Sequence, residues 1–256
     1  MRKGYFSKLG QQIHYHESGQ PSATPLICLP PAPHSGLYFS NFQNALGNLH
    51  SLAVDYPGYG GSDPQDGHTI EFYAHSLLDL IKSLGTVHLL GFHSGCLVAM
   101  ELVRIAPELL DKIVLIDVPY FDDATRQKYA AHFAADLPLP ETKNDLGDHF
   151  TAQVTKRREA LGLPRAYDLW VETLRAGERR NVMFQAAFAY NVAKTLRSLD
   201  YPLHFIATQS SLLKQTRDAE KLCQNAVLIE RLDIDHAVFD AFAETIAVQI
   251  NTILSS

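Results

Sequence analysis

Long apolar runs, clustered basic residues and cysteines in recognisable spacings are all scarce in this chain, and each shortage removes a class of protein. No stretch approaches the roughly 20 apolar residues of a membrane-spanning helix. Arg2 and Lys3 open the chain with no apolar segment behind them, which argues against a signal peptide. The three cysteines, Cys28, Cys96 and Cys223, form an odd set without metal spacing, and each sits in an apolar run. They read as buried thiols of a reducing, cytoplasmic compartment. Net charge is −6 and no basic tract occurs, so neither nucleic acid nor an anionic membrane surface is expected as a partner. Gly58-Tyr59-Gly60-Gly61 lacks the lysine and the helix start of a phosphate-binding loop. No cofactor is therefore expected.

What is present is a hydrophobic fraction of 46% in 256 residues, enough for one α/β domain with an insertion. Residues 6–16 alternate weakly about Gly10 and predict two short strands meeting at a turn. Residues 18–24 read as loop. Short apolar strands are expected at 25–29, 51–54, 87–90, 112–117 and 201–208, and another just before His236. Helical periodicity occupies 39–46, 68–84, the stretch behind Gly95, and 238–254. Strands alternating with helices imply a mostly parallel sheet covered on both faces.

The sharpest local signal is Gly91-Phe92-His93-Ser94-Gly95. An apolar strand stops there and a helix starts at once, the setting of the G-x-S-x-G nucleophile elbow. The tip of such a bend has positive φ, and the residues two before and two after must be small. With His93 at the tip those residues are Gly91 and Gly95; with Ser94 they would be Phe92 and Cys96. Histidine also tolerates positive φ better than most residues. The register therefore places His93 at the tip.

In this setting the chain resembles the α/β-hydrolases over nearly its full length. GQQIHYHESG (10–19) resembles their opening hairpin, DYPGYGGSDP (55–64) their loop after the fourth strand, and YPLHFIAT (201–208) their seventh strand. LDIDHAVF (232–239) resembles the segment that carries the catalytic histidine. The resemblance implies an α/β-hydrolase fold with core residues 1–117 and 199–256 and a helical cap at 118–198. Helices are expected in that cap at 122–135, 145–161, 166–175 and 181–196, broken around 138–140 and 162–164. The stripe of Met183, Phe184, Ala187, Phe188 and Tyr190 would pack on one side and line a pocket on the other.

The family's triad runs nucleophile, acid, histidine. The resemblance makes His236 the general base, acting on water or on the Ser94 hydroxyl, which counts Ser94 with His236, His93 and Asp117 among the candidate catalytic residues. After the seventh strand, Ser210 or Ser211 stands where the acid is usual, and Asp117, ending the sixth strand, is either its substitute or a brace for the loop above the sheet. Asp122 and Asp123 read as the start of the first cap helix. His93 is a hydrogen-bond donor or proton shuttle, the remnant of a lost site, or a nitrogen nucleophile. The family's oxyanion donors would be the N–H groups of Ser94 and Ala32. His34 shares a loop with Ala32, and Ser211 completes the expected binding wall. His34, His93 and His236 can converge, yet their spacing is no metal motif, and no metal is expected.

Three functions stay open. The first is an enzyme of hydrolase type without an intact triad, acting on a small apolar ester, thioester, lactone or ketone. The second is a cofactor-free lyase, isomerase or oxygenase-type enzyme moving protons between His236 and His93. The third is a non-catalytic ligand-binding pseudo-hydrolase. In each the partner is a small molecule; oligomeric state stays open.

Overall fold

The computed structural model describes residues 1–21, 24–135 and 139–256. Ser22 and Ala23 of the expected loop, and Pro138 of the expected break, lie outside the described residues. The sheet has eight strands: β1 (Arg2–Lys8), β2 (Gln11–Ser18), β3 (Leu26–Leu29), β4 (Ser51–Val54), β5 (Val87–Phe92), β6 (Leu110–Ile116), β7 (Leu203–Thr208) and β8 (Ala226–Arg231). Their spatial order is β1-β2-β4-β3-β5-β6-β7-β8. β2 runs antiparallel to β1 and β4; every pairing from β4 through β3 to β8 is parallel.

The buried strands read as continuous apolar runs because both faces are covered. Ile27, Leu29, Leu89, Ile113, Leu115, Leu203 and Phe205 face one core layer. Their neighbours Leu26, Cys28, Leu90, Val114, Ile116 and Ile206 face the other. The period of two divides each strand between layers. Helices α2 (Ile70–Leu84) and α3 (Ser94–Ile105) cover the first layer, while α1 (Ser40–Ala45) and α11 (Ala243–Leu254) cover the second. α2 starts where the Thr69 hydroxyl accepts from Phe72 N–H (3.1 Å) and stops at Gly85, φ 84°. The expected helix at 238–254 begins only at Ala243, because the backbone through Ala237 (φ 43°) still turns. A helix not expected from the sequence, α10 (Leu213–Glu220), follows β7.

Between β6 and β7 the described elements are helical: α4 (Asp123–His132), α5 (Lys143–Phe150), α6 (Arg158–Leu161), α7 (Leu163–Arg175), α8 (Val182–Ala189) and α9 (Val192–Ser198). Asp122 caps α4 by accepting from Thr125 N–H (2.8 Å). Three expectations change. The helix anticipated over 181–196 is split into α8 and α9, because Tyr190 is extended and the Asn191 side chain caps a new start by accepting from Lys194 N–H (3.0 Å). The helix anticipated over 145–161 is interrupted by a π-turn at Thr151–Thr155. Leu163-Pro164 opens α7 rather than separating helices, since a proline in the first turn removes a donor with no intrahelical partner anyway. Side chains tie these helices to the sheet. Tyr59 Oη donates to Arg179 O (3.0 Å) and accepts from Met183 N–H (3.1 Å). Arg165 pairs with Asp240 (2.8 Å), and Tyr190 donates to buried Glu101 (2.9 Å).

Candidate active site

Among the described residues four non-glycines have positive φ, and the carboxyl end of the sheet carries three of them: His93 (50°), Asp117 (53°) and Ala237 (43°). Such corners hold strain that the surrounding structure must over-determine. At His93 the determinants are visible. A Cβ on Gly91 would lie 2.7 Å from Cys96 Cα, and one on Gly95 would lie 2.1 Å from Leu29 O. His93 N–H donates to Ile116 O (3.1 Å), and Cys96 N–H to His93 O (2.9 Å). Phe92 meanwhile points down into an aromatic cluster with Tyr38 and Phe239, so the bulky residue avoids the crowded crossing of strand and helix.

The His93 ring stacks on Phe92, centroids 3.9 Å apart. It faces a cavity of about 190 Å³ lined with Ala32, Ser94, Phe121, Phe184, Phe188 and Ser211, among others. Burial pushes its pKa down to about 4, so the ring is neutral at pH 7. Ser94, 5% exposed, does not leave the expected oxyanion donor open: Ala32 N–H donates to Ser94 Oγ at 2.7 Å. The first N–H groups of α3, Ser94 among them, have no intrahelical acceptor and face the positive end of the helix dipole. Phe184, Ala187 and Phe188 line the cavity, while Met183 and Tyr190 lie in the core; the aromatic stripe divides between the two tasks.

His236 is placed elsewhere. It does not line this cavity; its Nδ1 is hydrogen-bonded to Asp235 and its ring meets Phe242 edge-on. The cause is the anchoring on either side. Ile234 (0% exposed) and Phe239 (1%) are buried, Gln209 N–H holds Ile234 O (2.7 Å), and the intervening Asp235 and His236 turn to solvent. The anticipated His93–His236 pair is thus not brought together. Asp117 does not meet His236 either. Its Oδ1 accepts from Thr208 N–H (2.9 Å) and its Oδ2 from the Thr208 hydroxyl (2.6 Å), which braces the ends of β6 and β7. Burial raises its pKa, and the Thr208 and Ser210 hydrogen bonds hold the rise back.

The imidazole nearer His93 is that of His34. It stacks on Tyr38 (5.0 Å) and is pushed down to about 3 by burial, then by Arg157, Arg165 and His93. It lines a second cavity that shares Ala32 and Phe184 with the first. Arg157, His149 and Asn181, which also line that cavity, carry no signal in the sequence, since helical polar residues ordinarily face solvent.

Away from the elbow, His14, His16 and Asp55 are buried with ligating atoms within 4.8 Å of one another. They could hold a metal ion, but the Asp55 carboxylate already accepts from Gly36 N–H, Gly61 N–H and His14 Nδ1, each at 2.7 Å. That cluster pins the loop after β4 to β2.

Buried histidines predict acid lability. Desolvation lowers the pKa of His16, His34, His88, His93, His149 and His204. Between the folded and unfolded pKa values the unfolded chain binds more protons, so stability present above pH about 6.5 is lost as pH falls toward 4. Urea midpoints measured from pH 7.5 down to 4.5 should decline steadily. His34→Gln should flatten part of that slope, and an unchanged slope would deny that His34 stays neutral in the fold.

The fold also has known relatives. A hydrolase from Pseudomonas aeruginosa superposes with a TM-score of 0.78 at 18% identity, over 99% of this chain and 98% of that one. A bromoperoxidase from Bacillus anthracis gives 0.79 at 17% identity over the whole of both chains. An enol-lactonase from Burkholderia xenovorans gives 0.75 at 19% identity, over 99% of this chain and all of that one. At these identities the likeness is one of fold. The sequence model of the alpha/beta hydrolase family matches residues 26–248, the strand order and the strained bend at His93 fit that match, and the chain belongs to the alpha/beta hydrolase family.

Proposed function

We propose that the protein is an enzyme of hydrolase type that acts on a small, mostly apolar ester, thioester, lactone or ketone without the usual Ser-His-acid relay. The observation that carries this reading is a neutral imidazole at the strained strand–helix corner, facing an apolar cavity beside the start of α3. His93 hydrogen-bonds the substrate carbonyl oxygen. The Ser94 N–H supports the charge that develops there, and apolar walls strengthen both interactions. Residues 118–198 act as the cap that closes the cavity; water attacks the carbonyl carbon, and its proton passes to the leaving group as the bond to that group breaks. A second reading, a ligand-binding protein without turnover, is favoured by one observation: among the described residues lining the cavity there is no carboxylate, and His236 is not one of them.

A panel of small esters, thioesters and lactones separates the two. His93→Gly removes the ring, and glycine adopts positive φ without strain, so the melting temperature should hold while kcat/KM falls about 100-fold. Turnover should stay flat from about pH 8 to 5, because His93 is neutral down to about 4. Ser94→Ala deletes the hydroxyl that takes up Ala32 N–H and keeps the backbone N–H of position 94, so turnover should persist or rise. Its loss, together with labelling by a fluorophosphonate, would make Ser94 the nucleophile and refute the reading. A silent panel with ligand-induced thermal shifts would favour the second reading.

A further inference from the structure

Beside the elbow cavity, across Phe184 and Ala32, lies the second cavity, of about 240 Å³. Its chemistry is different. Its wall includes Arg157, His149, Gln153, Asn181 and His34, together with a second guanidinium, that of buried Arg180, whose Nε donates to Gly177 O (2.8 Å), and no aspartate or glutamate among the described residues. Arg157 has no side-chain hydrogen bond or ion pair with a described residue, although it is half-buried.

The hydrogen-bond accounting of that wall runs toward donors. The Trp170 indole N–H, which can only donate, donates a hydrogen bond to His149 Nδ1 (2.8 Å). The neutral His149 ring must then carry its own proton on Nε2, a donor. His34 is 6% exposed, and its buried Nδ1 has no partner among the described residues. The carboxylates on neighbouring elements are engaged: Glu172 with Ser35 and Arg175, Asp240 with Arg165 and Asn41. A guanidinium without a carboxylate partner, walled by buried polar groups, is a costly arrangement unless something anionic completes it.

The two cavities meet at an aromatic partition. Phe184 stacks on Phe133 (4.7 Å, 13° between planes), which stacks in turn on Phe188 (5.5 Å, 9°). Phe184 and Phe188 line the apolar cavity, and Phe184 and Phe133 the polar one. A ligand reaching from one to the other runs its apolar middle along these rings.

We infer that the molecule bound at the elbow is a small carboxylic acid, its apolar body in the His93 cavity and its carboxylate on Arg157 in the adjoining one. This narrows the substrate class of the proposed function and rests on that reading for the cavity's use, but not for the carboxylate site itself. A planar carboxylate matches the guanidinium fork, and the charge-assisted bonds gain strength in a partly buried setting.

The test is binding, which is independent of turnover. Phenyl-substituted carboxylates from phenylacetate to 5-phenylpentanoate, and the matching primary amides, are titrated against the full chain by calorimetry. At least one acid should bind ten-fold or more tightly than its amide. Arg157→Gln should weaken that acid to the level of the amide and leave the amide unchanged, whereas Arg157→Lys should keep part of the preference. Arg158→Gln, which removes an exposed cation on α6, should keep all of it, which separates Arg157 from general surface charge. Acid and amide binding alike along the series, no binding by any acid, or a preference that survives Arg157→Gln would overturn the inference. Loss of turnover in His93→Gly without any acid preference would sink the carboxylate site and spare the enzyme; acid preference with a silent substrate panel would do the reverse.

Discussion

Gly95→Ala should lose about 3 kcal/mol or more of folding stability. The new Cβ would lie 2.1 Å from Leu29 O, 2.8 Å from Leu29 C and 3.0 Å from Pro30 O. All three are backbone atoms at the end of β3, a strand hydrogen-bonded to neighbours on both sides. They cannot swing aside as a flexible side chain would. Relief requires α3 to move off β3, and α3 is buried along most of its length. A contrasting substitution isolates the cause. Gly147 lies within α5, and a Cβ there meets nothing within 4 Å. Gly147→Ala should therefore gain about 0.5–1 kcal/mol from helix propensity and reduced freedom of the unfolded chain. Urea unfolding of both variants beside wild type checks the pair. A wild-type midpoint for Gly95→Ala would mean that strand and helix do not approach as closely as described.

The same crossing explains what could be read from the sequence. An elbow is specified within five residues, Gly91 to Gly95, because the steric demand falls on neighbours in the chain. The parallel sheet was equally legible, since strands buried on both faces read as apolar runs, as in Leu26–Leu29 and residues 113–116. Side-chain direction at the functional end was not. The segment around His236 is recognisable by its place in the chain, yet which way the imidazole turns depends on Ile234 and Phe239 anchoring either side of it. Arg157 was hidden for another reason. The π-turn at Thr151–Thr155 shifts the helical phase just before it, so an arginine that a regular helix would have sent to solvent lines a cavity. The Ala32 N–H lies on the loop after β3, but its engagement by Ser94 Oγ was not legible, because it depends on a contact between residues 62 positions apart.

At Asp117, alanine and asparagine should separate sharply, with alanine costing about 3 kcal/mol and asparagine within about 1 kcal/mol of wild type. Asp117 is fully buried and takes both the N–H and the hydroxyl of Thr208. Alanine orphans both donors at the carboxyl end of the sheet and must also hold φ 53°. Asparagine keeps an oxygen for Thr208 N–H, turns its amide toward the Thr208 hydroxyl, and tolerates the left-handed region better than most residues. The pH dependence follows from the same burial. The folded pKa lies above the unfolded value, so through that window the folded state binds more protons and Asp117 costs the fold increasingly as pH rises. Asparagine, with no proton to lose, should therefore gain on wild type as pH rises above about 4, the unfolded carboxyl's range. Function supplies the remaining discrimination. If Asp117 served as the acid of a relay through His236, Asp117→Asn would abolish turnover while the fold survived. With both carboxylate oxygens held by Thr208 and His236 hydrogen-bonded to Asp235, Asp117→Asn should keep turnover within a few-fold of wild type, and a hundred-fold fall in kcat at an unchanged melting temperature would return Asp117 to the catalytic machinery.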